Sequence, residues 1–101
     1  MIINEDVKAV IEGSAFLSLV TVNADNTPHP IVTGKGEVAS DTIVFGIFRM
    51  ETTQKNLQIN QNAWVVAATK NGRPKGYRLT GTAEVKGKQV VFTPTKAEAL
   101  I

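Results

Sequence analysis

The chain has 101 residues and a formal net charge of +2, and 43% of its residues are hydrophobic. This length predicts a single domain spanning residues 1–101, and so small a charge gives no reason to expect a nucleic-acid or membrane partner. Because the sequence has no cysteine and one histidine, disulfides, thiolate catalysis and multi-histidine metal sites within one chain are excluded. The acidic N-terminal segment and the lack of a long apolar run favour a cytoplasmic protein.

A short amphipathic helix is predicted over residues 4–12. Asn4 is a suitable N-cap, the acids after it favour the positive end of the helix dipole, and Gly13 suits the position just past a helix end. The run AFLSLVTV (15–22) is apolar on both faces and predicts a buried strand. The turn NADNTP ends this strand.

A second strand is predicted within HPIVTGKGEVAS (29–40). Pro30 places its start at a sheet edge or at the beginning of a strand. Gly34 and Gly36 indicate bulges or a close approach of the backbone to another group. A flat ligand is one such group, and a bulge without any ligand explains the same two glycines.

Three more strands and a short strand or strand extension follow, at TIVFGIF (42–48), WVVAAT (64–69), GYRLTGTAEVKG (76–87) and QVVFT (89–93). A helix separates the third strand from the fourth. Five to six short strands with two helices predict a mainly β protein built as a small antiparallel barrel.

The last residues predict a helix instead of a strand. Thr95 and Glu98 have capping-box spacing, and strong helix formers surround them. A helix of under two turns is marginal by itself. We therefore expect that the natural protein continues beyond Ile101, with a C-terminal helix or strand missing here.

The segment RMETTQKNLQINQNAW (49–64) is the most polar stretch between two predicted core strands. A helix starting at Thr52 or Thr53 would present free N–H groups, the positive end of its dipole and two hydroxyls. With Arg49 before it and Lys55 within it, this start suits a phosphate. A plain threonine-capped, solvated helix explains the same residues without a ligand.

Other chemistry-bearing residues are few. Lys70, Arg73, Lys75 and Arg78 form either a solvated basic hairpin or a cationic arm over an anionic ligand. His29, flanked by two prolines, favours a role at a strand end over catalysis. With no catalytic triad, dinucleotide fingerprint or Walker loop, the sequence predicts no catalytic residue, and a cofactor would have to supply any chemistry.

The order of these segments resembles the FMN-binding split-barrel superfamily, which includes pyridoxamine 5′-phosphate oxidase-like proteins and small FMN-binding proteins. The likeness runs over about residues 7–85. It begins with a helix and the strand AFLSLVTVNADNTPHPIV. It continues through TIVFGIFRMETTQKNLQINQNAWVVAAT, with its threonine-containing helix start and Asn-Leu pair, and closes with GYRLTGTAEV.

The resemblance implies a split barrel that forms a homodimer with FMN at the subunit interface. Such a protein acts as an oxidoreductase or a flavin-dependent electron carrier, with a small-molecule or protein electron donor. The flavin phosphate would lie at the helix after the third strand, and the ring beside the second strand, where Lys35 would stabilise negative charge near N1–O2. The expected cofactor-binding residues are Ile31, Val32, Thr33, Gly34, Lys35, Arg49, Thr52, Thr53, Lys55 and Lys75.

Two alternatives remain open. A related split barrel can bind another ligand, such as haem or a deazaflavin, and His29 is then the one candidate axial ligand. A non-enzymatic barrel can bind nucleic acid through residues 70–78. Single-strand binders interleave aromatic side chains for base stacking, and Tyr77 alone lies near this loop, which argues against the second alternative.

Overall fold

The computed structural model describes residues 1–34 and 36–100. Within these residues the chain forms two helices and seven strands: α1 (Glu5–Gly13), β1 (Leu17–Val22), β2 (Pro28–Thr33), β3 (Glu37–Ala39), β4 (Thr42–Gly46), α2 (Glu51–Ile59), β5 (Asn62–Thr69), β6 (Lys75–Lys86) and β7 (Gln89–Ala99). The predicted mainly β architecture is confirmed, with one helix before the strands and one helix among them.

The seven strands form one antiparallel sheet in the order β2-β1-β5-β6-β7-β4-β3. Its two edge strands, β2 and β3, are consecutive in the chain and only residues 34–36 lie between them. In a flat sheet, six strand spacings of about 4.8 Å would hold these edges about 29 Å apart. The chain from Thr33 to Glu37 can span only about 14 Å. The sheet must therefore curl until its two edges approach each other.

Gly36 marks the place where the curled sheet meets itself. A Cβ added to Gly36 would lie 2.6 Å from Ile43 Cγ2 and 2.9 Å from Leu17 Cδ1. Leu17 belongs to β1, next to the edge strand β2, and Ile43 belongs to β4, next to the other edge strand, β3. Side chains from opposite ends of the sheet therefore meet at Gly36. The predicted close approach at Gly36 is confirmed, and the approaching group is the protein's own core. Gly34 differs, because an added Cβ there would have no atom within 4 Å.

Helix α1 packs against β5 and also contacts β3 and β6. Asn4 Oδ1 accepts a 2.9 Å hydrogen bond from the Val7 N–H, which confirms the predicted N-cap. Val7, Val10 and Ile11 are each 1% exposed. Burial of three such side chains stabilises the fold by about 1.5–3 kcal/mol each before conformational entropy is subtracted.

The turn between β3 and β4 anchors the N-terminal segment. Asp41 Oδ1 accepts a 2.7 Å hydrogen bond from the Ile3 N–H, and Asp41 Oδ2 accepts one of 3.1 Å from the Ile2 N–H. These hydrogen bonds, the one from Ile3 above all, hold the pKa of the Asp41 carboxyl below its ordinary value. Asp41 thereby fixes the backbone that delivers Ile3 into the core.

The backbone of β2 has two unlike sides. In an antiparallel pair, each residue directs both its N–H and its C=O either toward the partner strand or away from it. Proline has no N–H, so Pro28 and Pro30 belong to the set that faces away from β1. Val32 lies two residues after Pro30, so its backbone groups also face away from β1. Of the three residues of β2 that face this way, Val32 alone has an N–H donor.

The predicted count of five to six strands is wrong, because the predicted second strand (29–40) is two strands. β2 ends at Thr33 and β3 begins at Glu37. The link that holds Gly34 and Gly36 carries the chain from one edge of the sheet to the other. The two glycines were also compatible with a bulge inside one strand. In the structure they lie in the connection between two strands.

The predicted C-terminal helix is also wrong, because residues 89–99 form the single strand β7. Lys96, Ala97 and Glu98 pair in register with Thr80, Leu79 and Arg78 of β6. Pairing with β6 gives the backbone N–H and C=O groups of these residues hydrogen-bond partners. A helix of only two turns would leave many of the same groups to solvent. The local helix propensity of KAEALI is thus outweighed by a long-range ladder.

Neither helix in the described part of the chain is long and apolar enough to cross a membrane.

The contact at Gly36 predicts that alanine substitutions at Gly36 and at Gly34 have different effects on stability. We expect Gly36→Ala to lower the free energy of unfolding by about 1–3 kcal/mol, since the new methyl group must displace Ile43 and Leu17. Gly34→Ala adds the same group in open space and serves as the control. Urea denaturation of both variants measures the difference. Equal stabilities would show that the sheet does not close tightly at Gly36.

The clamp at Asp41 predicts a pH-dependent contribution to stability. Because the pKa of the folded-state carboxyl lies below its ordinary value of 3.8, its contribution is present above about pH 4 and is lost as pH falls through the folded-state pKa. We expect Asp41→Asn to reduce the unfolding free energy at pH 7 by about 1–2 kcal/mol and to flatten its decline between pH 5 and pH 2. Thermal unfolding across this range measures both effects. A variant with the wild-type pH profile would contradict the assignment.

Candidate functional site

Helix α2 begins in a strained turn. Arg49 and Met50 both adopt the left-handed conformation, with φ of 68° and 54°, which costs a non-glycine residue about 1–2 kcal/mol. Gln54 Nε2 donates a 2.9 Å hydrogen bond to the Arg49 carbonyl and holds this turn. The predicted threonine N-cap is wrong, because the helix begins at Glu51 and its N-cap is Met50, which makes no side-chain capping hydrogen bond.

The first turn of α2 presents backbone donors. The Gln54 N–H makes a 2.9 Å hydrogen bond to the Met50 carbonyl. The N–H groups of residues 51–53 precede it and have no acceptor within the helix. Because no side chain caps this end, three donors and the positive end of the helix dipole face outward together.

Thr53 adds an independent sign of a ligand site. Its side chain is 1% exposed, and its Oγ1 has no hydrogen-bond partner among the described residues. Buried hydroxyls are normally paired, and leaving one unpaired costs about 1–3 kcal/mol. This hydroxyl lies in the same helical turn as the three backbone donors.

These donors open into a small cleft of about 300 Å³ between β2 and the start of α2, which we call the polar cleft. Its lining residues are His29, Ile31, Arg49, Met50, Glu51, Thr52 and Thr53. Arg49 supplies one positive charge, whereas the carboxylate of Glu51 opposes an anion. The hydroxyls and backbone donors therefore have to contribute most of the attraction for an anion.

A larger cleft of about 530 Å³, the apolar cleft, continues from the polar cleft. Its lining residues are Ile31, Val32, Thr33, Gly34, Phe45, Gly46, Phe48 and Met50. Ile31 and Met50 line both clefts, so the two form one elongated depression. A depression with mainly apolar walls and polar donors at one end is typical of small-molecule sites.

Two large side chains on the walls of the apolar cleft face solvent. Val32 on β2 is 74% exposed and Phe48, just after β4, is 85% exposed. Exposed apolar groups that are scattered singly need no explanation, whereas these two flank the same cleft.

A polar network that is buried at Asn56 and Thr21 positions α2 against β1. Asn56 Nδ2 donates hydrogen bonds of 3.0 Å to both Thr21 Oγ1 and Asn23 Oδ1. Asn23 Nδ2 donates in turn to Thr27 Oγ1 in the β1–β2 turn, which leads into β2. The network ties α2 to the strand pair whose second member forms the facing wall of the polar cleft.

The expected site residues divide into five groups. Ile31, Val32 and Thr33 of β2 and the following Gly34 line the apolar cleft. Arg49, Thr52 and Thr53 line the polar cleft. Lys55 is exposed on α2 and lines neither. Lys75 lines a different cleft, and Lys35 lies outside the described residues. Within one chain, the two clefts thus bring together seven of the ten residues that the sequence indicated.

Lys75 forms an ion pair with Asp6 of α1. Its Nζ lies 2.7 Å from Asp6 Oδ1, and the Tyr77 hydroxyl donates to Asp6 Oδ2. Hydrogen bonds from Lys75 first and Tyr77 second lower the pKa of Asp6, and the same carboxylate raises the pKa of Tyr77. This contact ties α1 to the start of β6.

Sequence reasoning missed several residues of the site. Phe48 was predicted only as the end of a strand, and Met50 only as a residue before the helix. His29 was favoured as a strand-end residue. Glu51 was given no role. The isolated polar segment after TIVFGIF was the one available signal, and it carried no information about which strand would face it.

Comparisons with known proteins identify the fold. No family model matches the sequence, and no curated protein matches it significantly. A variant of HupZ from Group A Streptococcus aligns with a TM-score of 0.83 and 18% identity over 99% of this chain and 100% of that chain. An FMN-binding protein from Syntrophomonas wolfei aligns with a TM-score of 0.74 and 18% identity over 92% and 82%. A candidate pyridoxamine 5′-phosphate oxidase from Listeria innocua aligns with a TM-score of 0.75 and 14% identity over 95% and 96%.

The chain therefore shares its fold with these three proteins. At these identities the likeness establishes the fold, and the binding properties of the chain have to be argued from its own residues.

The unpaired hydroxyl of Thr53 predicts an unusual stability effect. We expect Thr53→Val to leave the unfolding free energy of the ligand-free protein unchanged or to raise it by about 1 kcal/mol, because the change removes a buried group without a partner. Thr21→Val is the matched control: its buried hydroxyl accepts from Asn56, and its loss should cost about 1–3 kcal/mol. Chemical denaturation measures both. Equal destabilisation would mean that Thr53 is hydrogen-bonded inside the fold.

Proposed function

We propose that this protein is an FMN-binding flavoprotein of the pyridoxamine 5′-phosphate oxidase-like type, acting as an oxidoreductase or as a flavin-dependent electron carrier. The observation that carries the proposal is the buried, unpaired hydroxyl of Thr53, set among free backbone donors at one end of an apolar cleft. The FMN-binding and oxidase-like proteins that share the fold support the same ligand class.

The polar cleft supplies what a flavin phosphate requires. The N–H groups of residues 51–53, the hydroxyls of Thr52 and Thr53 and the guanidinium of Arg49 can all donate to phosphate oxygens. Lys55 lies four residues after Glu51, on the same face of α2, so it can offset the charge of that carboxylate. The Thr-Thr pair provides two hydroxyls at this helix start.

The apolar cleft suits the isoalloxazine ring. Ile31, Phe45 and Phe48 offer apolar contacts, and Gly34 leaves open space beside the backbone. The outward N–H and C=O of Val32 are available to the polar edge of a ring that lies along β2. Lys35 follows Gly34 directly in the sequence, and we assign it to stabilising negative charge on the ring.

Bound flavin would supply the electron-transfer chemistry, and the protein's part is to bind and orient it. The described residues contain no cluster of three or more His, Asp or Glu side chains that could hold a metal ion. The exposed Val32 and Phe48 beside the cleft favour a homodimer in which a second copy covers the flavin. Such a dimer would also allow the basic loop around Lys75 to approach the cofactor of the partner.

The proposal predicts selective binding of FMN. We expect the purified protein to show the visible absorbance of flavin, or to take up added FMN at micromolar concentration, and to bind riboflavin less tightly because riboflavin has no phosphate. Thr53→Val should weaken FMN binding by about tenfold or more, the typical loss of one hydrogen bond to a charged group, and should leave riboflavin binding unchanged. Quenching of flavin fluorescence measures all of these affinities.

The control variant is Thr42→Val, which removes an exposed hydroxyl that donates to the Ala39 carbonyl and lines neither cleft. Its FMN affinity should match that of the wild type. A protein that contains no flavin as purified and takes up no FMN would refute the proposal. Absorbance in the Soret region would instead identify haem as the ligand.

A further inference from the structure

His29 lines the polar cleft, and none of the contacts assigned to the flavin uses its side chain. It is half-buried on β2, and Ile31, two residues further along the strand, lines the same cleft. Residues two apart on a strand point to the same side of the sheet. The imidazole therefore faces the start of α2 from the opposite wall. No hydrogen bond in the described part of the chain involves its ring nitrogens.

The backbone around His29 is constrained. Pro28 and Pro30 flank it and hold their own φ angles near −65°. His29 pairs with Thr21 of β1, whose hydroxyl belongs to the buried network with Asn56 of α2. The strand that carries the imidazole is thus fixed relative to the helix that carries the anion donors.

The charges that face the imidazole nearly cancel. From the start of α2, the cleft receives Arg49 and Glu51, one of each sign. Strand β1 has no charged residue, and β2 has no charged residue besides His29 itself. Asp25 in the β1–β2 turn accepts hydrogen bonds from the backbone and hydroxyl of Thr27, which lower its pKa. With a neutral imidazole the side chains lining the cleft sum to zero charge, and with a protonated one they sum to +1.

Histidine side chains exchange a proton between about pH 5 and pH 8. A dianionic phosphate in the polar cleft favours the protonated imidazole, because protonation adds both a positive charge and a second N–H donor. By linkage, protonation of the imidazole must then favour the phosphate by the same factor.

We propose that His29 is an anion-binding residue that makes phosphate binding in the polar cleft depend on pH. The inference rests on the proposed function, since it names the residue that couples FMN binding to protons. It also assigns His29 a part in specificity, because an uncharged flavin without a phosphate gains nothing from protonation of the imidazole.

The experiment uses the fact that the chain has one histidine. In untagged protein, the NMR signals of the imidazole ring belong to His29 alone. The midpoint of its titration is measured without ligand, with saturating FMN, with riboflavin, and with inorganic sulfate, which keeps both charges across this pH range. We expect FMN and sulfate to raise the midpoint by about one pH unit, equivalent to about tenfold tighter binding to the protonated protein, and riboflavin to leave it unchanged.

The outcomes separate this inference from the proposed function. FMN that binds without moving the midpoint would overturn the role of His29 and leave the flavoprotein proposal intact. Sulfate that raises the midpoint in a protein that binds no FMN would support the anion site and refute the flavin. An unmoved midpoint with sulfate and no FMN binding would refute both.

A variant provides the second measurement. His29→Gln keeps a polar side chain that cannot be protonated. We expect the sulfate affinity of the wild type to rise about tenfold from pH 8 to pH 5.5, and that of the variant to change little. A variant with the same pH dependence as the wild type would overturn the inference. Matching circular dichroism spectra and melting temperatures establish that the variant is folded.

Discussion

The short link between β2 and β3 is the constraint on which the rest of the structure depends. These strands lie at opposite edges of a seven-stranded sheet, yet three residues connect them. The sheet has to curl, and the curl brings Leu17 of β1 and Ile43 of β4 onto one glycine. The same curl brings β2 near the end of β4, where the chain turns into α2. The depression that combines the polar and apolar clefts is thus a consequence of closing the sheet with so little chain.

The start of α2 combines strain with support. Two consecutive left-handed residues and one buried unpaired hydroxyl are unfavourable in the protein by itself. Gln54 and Asn56 hold the helix in place by hydrogen bonds to the turn and to β1. Unfavourable local features that surrounding contacts maintain are typical of sites that are completed by a ligand. In the described part of the chain they coincide with the place where the apolar cleft meets free helix donors.

Local pattern was enough to predict the mainly β class, the N-cap at Asn4 and the cores of most strands. It failed where distant pairing decides the conformation. Residues 96–99 (KAEA) favour a helix locally and become strand because β6 offers a long partner. The glycines of TGKG suggested a bulge, and only the sheet order reveals that they join two edges. At the site, the sequence indicated hydroxyls and a helix start, whereas burial of Thr53 and the facing position of His29 require the folded arrangement. The ion pair of Lys75 with Asp6 is another long-range contact that the local basic pattern does not reveal.

The prolines of β2 have a consequence for how this protein meets copies of itself. An open sheet edge offers alternating donors and acceptors on which another strand can grow, and repeated addition leads to polymers. Pro28 and Pro30 remove two of the three outward donors of β2, and Val32 keeps the third. Another strand therefore cannot pair along the N-terminal half of β2. The N–H of Val32, near the C-terminal end of β2, can still donate a hydrogen bond to a bound group. One strand thus protects the protein against edge-to-edge assembly and keeps its remaining donor at the apolar cleft.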